Sequence, residues 1–117
     1  GHLPIRNDGT MITGKVGVDL LMEEAIVAAR QVGLNILASL QSALGDLDRI
    51  ERVYKLLGMV NAEPGFTQHP MVINGCSQLF SDLWGNDCGV GIRSAYGVSG
   101  LPLHASVEIE GAFLLKQ

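Results

Sequence analysis

Arg93 and Glu108 are the residues of this 117-residue chain whose types, brought together, would do chemistry. A guanidinium is planar and permanently charged near neutral pH, and two of its N–H groups match the two oxygens of a carboxylate. A glutamate beside it can position water and carry protons. Arg93 stands two positions into an apolar stretch, after Ile92 and before Ser94 and Ala95. Strand alternation puts Arg93, Ala95 and Gly97 on one face and Ile92, Ser94, Tyr96 and Val98 on the other. The small neighbours leave room for a ligand to approach the guanidinium. Glu108 and Glu110 share a face of a later stretch, Ala105–Leu115. Ser99-Gly100-Leu101-Pro102 lies between the two stretches and predicts a hairpin, which sets Arg93 opposite Glu108 with Cβ atoms about 5 Å apart. Two readings fit such a pair: a structural ion pair, or a carboxylate-binding fork beside a carboxylate that handles water and protons.

Other motifs carry less. Gly9-Thr10-Met11-Ile12-Thr13-Gly14-Lys15 matches most of a phosphate-binding loop, but Val16 stands where a magnesium-binding Ser or Thr belongs. A turn precedes it and Gly17 follows it, so a glycine-rich connection is the better reading. His2, His69 and His104 have no metal-ligand spacing among themselves or with a cysteine. Neither a metal nor a cofactor is expected. Gly85, Gly89 and Gly91 read as a loop between a helix and a strand. Cys76 and Cys88 form no CxxC motif and read as free thiols of a reducing compartment.

The elements that must position these residues follow from periodicity. Asn7-Asp8-Gly9 is a turn. Glu23 and Glu24 suit a helix N-terminus, where the dipole favours anions. Ile26, Ala29, Val32 or Gly33, Ile36, Leu37, Leu40 and Leu44 then recur at helical spacing, and Gly45 ends the helix. Residues 50–60 read as a strand. Thr67 or His69 caps a second helix with Pro70 in its first turn, and Met71, Val72, Cys76, Leu79, Phe80 and Leu83 give its apolar stripe as far as Gly85. Strands over 91–98 and 105–115 complete the order α, β, α, β, β. Helices on one side leave a sheet face bearing Leu57, Met59, Ala95 and Ile109 uncovered, as at an oligomer interface.

Composition bounds the function. One domain over residues 1–117 is expected; its 47% apolar residues are enough for one core, and a domain of this size buries roughly 65% of its unfolded surface. The net charge of −4 argues against nucleic acid as a partner. The nearest basic cluster, Arg49, Arg52 and Lys55, is diluted by Asp46, Asp48 and Glu51. No apolar run approaches the ~20 residues of a membrane span, and no signal-peptide pattern opens the chain. It starts at Gly1, and Leu3-Pro4 reads as a strand end running into a turn, which suggests a cleaved tag or a start inside a domain.

Ile92-Arg93-Ser94-Ala95, then Leu101-Pro102, then Val107-Glu108-Ile109-Glu110 resembles the C-terminal signature of the RidA/YjgF family, the reactive intermediate deaminases once labelled L-PSP endoribonucleases. Gly1-His2-Leu3-Pro4 is similar to the end of the family's SGQ-I/L-P strand, and Asn74 sits where the family has an asparagine in its second helix. The resemblance implies an α+β, chorismate-mutase-like fold: a sheet with two helices on one face, assembled as a homotrimeric barrel in the cytoplasm. The family's first two strands, with a site tyrosine and serine, would precede Gly1, so the domain is expected to be truncated. The family cysteine two residues after the arginine is Ala95 here. The resemblance further implies hydrolysis of enamines and imines such as 2-aminoacrylate to 2-keto acids and ammonia. Arg93 would hold the substrate carboxylate and Glu108 would move protons. Gly1 and Ala95 would offer backbone N–H groups, and Asn74 would shape a cleft between subunits. The alternatives are a non-catalytic trimer that binds small carboxylates or proteins and, behind it, an endoribonuclease.

Overall fold

A computed structural model describes residues Gly1–Gln117. Helix α1 runs Met22–Leu44, strand β1 Ile50–Asn61, helix α2 His69–Cys88, strand β2 Ile92–Val98 and strand β3 Val107–Leu115. The element order is the one the periodicity predicts. In α1 the Glu24 side chain accepts from the Leu21 backbone N–H, and Glu23 and Glu24 occupy the positive end of the helix dipole. Gly45 closes the helix in the left-handed region at φ 83°, its N–H donating to the Gln41 carbonyl. Neither Thr67 nor His69 caps α2; Gln68 precedes it without a side-chain bond, and Pro70 lies in the first turn. Gly85 breaks α2 at φ 85°, and a last helical turn carries on to Cys88.

The order of the strands is where the sequence misleads. The sheet runs β2-β1-β3, with β1 between the other two. β1 is parallel to β2 and antiparallel to β3. The predicted β2–β3 hairpin therefore does not form. Residues 99–106 instead cross the end of β1, a distance of two strand spacings or about 10 Å. Leu103 and His104 both adopt left-handed backbone, φ 57° and 59°, on that crossing. The His104 carbonyl accepts from the Gly14 N–H at 2.9 Å, which anchors the bend. The N-terminal segment extends the sheet past β3: His2 N–H donates to Ile109 O at 2.8 Å and Ile109 N–H to His2 O at 3.1 Å.

Both helices pack on one face of the sheet. Val53, Leu56, Gly58 and Val60 of β1 and Val107 and Ile109 of β3 point into this layer, where Ile73, Phe80, Val32 and Ile36 meet them. Ala25, Ala28 and Ile73 join the core beyond the predicted stripes, whereas Met71 and Leu83 stay exposed. The helices cross closely at Gly75, where an added Cβ would collide with the Ile26 carbonyl oxygen. Leu57 and Met59 lie on the uncovered face, as expected. Ala95 and Ile109 do not: both share the row of Gly58 and face the helices. No helix is long and apolar enough to cross a membrane.

Candidate functional site

Arg93 sits on β2, the edge strand, level with Leu56 of β1 and on the face covered by α2. Its side chain lies along the helix rather than across the sheet. Nη1 donates to Ser77 Oγ at 2.9 Å, and Nη2 reaches the Pro70 carbonyl at 3.5 Å. Pro70, Asn74 and Ser77 stand four and three residues apart, so they share one stripe of the helix. Leu56, Asn74, Ser77, Gly89, Val90, Gly91 and Arg93 line a half-open cleft of about 260 Å³. Gly91 is required beside it, because a Cβ there would strike the Val53 and Tyr54 carbonyl oxygens.

No carboxylate pairs with Arg93. The ion pairs of the chain are Arg52–Asp87 and His104–Asp19. Both acceptors on the guanidinium are neutral, and two hydrogen bonds leave three of its five N–H groups free. A closed Arg93–Glu108 ion pair, one of the two readings from sequence, is thereby excluded within one chain.

The other predicted residues divide into two groups. Asn74 lines the Arg93 cleft. Ala95 is two residues along the same strand row but does not line it. Glu108 is level with Met59 on the uncovered face of the sheet, as Glu110 is with Leu57. Gly1 lies against Glu108, so that a side chain at position 1 would overlap its carboxylate. Gly1 and Glu108 thus form one corner and Arg93 and Asn74 another, with the sheet between them. Ser77 and Val90 belong to the cleft and were not singled out from sequence. Ser77 was in principle legible, since it follows Asn74 by three residues and shares its helix face.

The remaining motifs resolve into structural roles. Lys15, of the phosphate-loop lookalike, is spent on the Asn61 side-chain oxygen at 2.7 Å and the Ser99 carbonyl at 3.0 Å. It ties the N-terminal loop to the ends of β1 and β2. Cys76 and Cys88 are not disulfide-bonded. Cys76 is buried against Gly33 of α1, and that burial pushes its thiol up to about 12 against the smaller opposing pull of Arg93. No group of three His, Cys, Asp or Glu side chains is placed to hold a metal ion.

Two helices on one face of a mixed three-stranded sheet, with an unpaired arginine at the sheet edge, define an α+β protein of chorismate-mutase-like architecture. The chain belongs to the YjgF family: residues 1–109 match the family described as "YjgF/chorismate mutase-like, putative endoribonuclease". It is 42% identical over 110 residues to Protein TCP17 of Trypanosoma cruzi, covering 94% of this chain and 69% of that protein. The crystal structure of Atu1372 from Agrobacterium tumefaciens, a protein of unknown function, superposes with a TM-score of 0.95 at 41% identity, over 99% of this chain and 75% of that one. A protein from Shewanella oneidensis MR-1, described as a putative endoribonuclease, superposes with a TM-score of 0.87 at 28% identity, over 93% and 72% of the two chains.

Proposed function

We propose that this protein hydrolyses amino-acid-derived enamines and imines, with 2-aminoacrylate as the type substrate, to 2-keto acids and ammonia. The observation that carries the reading is the guanidinium of Arg93, which faces a cleft with neutral acceptors only. A half-exposed cation with free N–H groups and no carboxylate of its own suits a small ligand that brings one. Protonation of the enamine carbon gives the imine, water adds to the C=N carbon, and collapse of the carbinolamine expels ammonia. Glu108 positions the water and moves the protons in this scheme. Gly1 and Ala95 offer backbone N–H groups, and Asn74 shapes the pocket.

The opposite-face placement of Arg93 and Glu108 makes a homotrimer part of the proposal. A neighbouring chain that packs its sheet against the edge of β2 can present its own Glu108 to this Arg93. The uncovered sheet face supports such packing. It displays Leu57, Met59, Ile92, Tyr96 and Leu114, and Ile92, Tyr96 and Leu114 are exposed in the single chain. Two unpaired cysteines suit a cytoplasmic setting.

The test is release of pyruvate from 2-aminoacrylate generated in situ, with and without the protein. No acceleration would move the assignment to a trimer that binds small carboxylates or partner proteins. RNA cleavage, the activity in the family's description, draws little support from a chain of net charge −4.

A further inference from the structure

We infer that Ser77 is a second ligand of the carboxylate, acting beside Arg93; the inference rests on the carboxylate-binding reading of that arginine. A guanidinium only donates, so in the 2.9 Å contact the Ser77 oxygen is the acceptor. The hydroxyl keeps its own proton. Inside a helix that proton usually goes to the carbonyl one turn back. Here the contact with Arg93 is the one hydrogen bond of the Ser77 side chain, and the Ile73 carbonyl does not receive it. The hydroxyl lines the cleft with Asn74 and Val90. A donor beside a cation, in the same cleft and without a protein acceptor, is matched to an anion.

The stereochemistry agrees. A carboxylate has about four lone-pair positions, and a guanidinium fork fills two of them. A hydroxyl that accepts from Nη1 lies at the flank of the fork and can fill a third. Donation from Arg93 into Oγ also polarises the O–H bond and makes it the stronger donor. A purely structural role, tethering β2 to α2, would need only the acceptor half of the hydroxyl. The ligand role needs its proton as well.

The experiment is a calorimetric titration of the full chain with pyruvate, for wild type, Ser77→Ala and Ser77→Thr, with a thermal melt of each. Ser77→Ala is expected to weaken pyruvate binding by roughly 10- to 100-fold, the loss of one hydrogen bond to a charged group. Ser77→Thr, which keeps the hydroxyl, should bind within about twofold of wild type. Alanine raises helix propensity, so a tethering role predicts a changed melt without a specific loss of affinity. Should Ser77→Ala lose the fold, Ser77→Cys supplies a near-isostere with a far weaker donor and should bind as poorly. Equal affinity of wild type and Ser77→Ala overturns the inference, and so does a wild type that does not bind pyruvate. A protein that binds pyruvate in a Ser77-dependent way but does not hydrolyse 2-aminoacrylate would count against the proposed reaction alone.

Discussion

Arg93 and Glu108 occupy opposite faces of the same sheet. Arg93 is level with Leu56, on the face covered by α2, and Glu108 is level with Met59, on the bare face. Successive residues of a strand alternate in direction, so no rotamer brings the two side chains together around the sheet. Any chemistry that uses both draws them from different chains.

Mixing two inactive variants tests that consequence directly. Arg93→Lys keeps the charge and loses the fork, and Glu108→Gln loses the proton carrier. Each alone is expected to lose most of the deaminase activity while staying folded. Co-refolded in equal amounts, random trimers would recover about a quarter of the wild-type rate, because one site in four draws both intact residues from different chains. A mixture as inactive as its parents, with exchange shown by native mass spectrometry, would place the two residues in separate functions.

The uncovered sheet face leads to a second expectation. Sedimentation velocity should show one species of three times the chain mass. Met59→Lys sets a charge among Leu57, Tyr96 and Glu108 on that face and should shift the distribution towards monomer. A wild-type chain that stays monomeric at micromolar concentration would contradict the trimer.

Gly75 gives a prediction of stability in which two principles oppose one another. Helix propensity alone makes Gly→Ala stabilising by about 1 kcal/mol. Against it, a Cβ at Gly75 runs into the Ile26 carbonyl oxygen and crowds the Arg30 N–H, both backbone atoms that cannot rotate away. The collision should win, with a net loss of about 1–3 kcal/mol and a Tm lower by roughly 5–15 °C. A thermal melt that rises in Gly75→Ala would show that the helices can separate at little cost.

Cys76 sets a pH signature. Its thiol is raised from 9.0 in the reference state to about 12 by burial, so folding favours the protonated form. Its contribution to stability is complete below about pH 9 and is lost progressively between about pH 9 and 12, as the unfolded chain ionises first. In a Cys88→Ser background, iodoacetamide at pH 8 should leave Cys76 unmodified until denaturant is added. Rapid labelling of the native protein would show the thiol to be accessible.

The sequence by itself determined the elements and the family. Periods of two and 3.6 are local properties of the chain, and Gly45, Pro70 and the Glu23-Glu24 pair mark boundaries through backbone chemistry within one turn. Arg93, Asn74 and Glu108 stood out by residue type and by their place in the C-terminal signature. Pairing was decided only by the tertiary structure. An apolar-polar alternation says which side chains share a face but not which strand lies alongside, and Ser99–Pro102 suits a short hairpin turn as well as the start of a crossing. The balance was tipped by α2, which carries β2 back parallel to β1 over the core of Ile73 and Phe80, and so leaves the other edge of β1 to β3. That single choice separates Arg93 from Glu108, turns Ala95 and Ile109 to the helices, and hands Arg93 to Ser77. The contact between Arg93 and Ser77 joins residues 16 apart through a packed interface, and no local pattern in the chain encodes it.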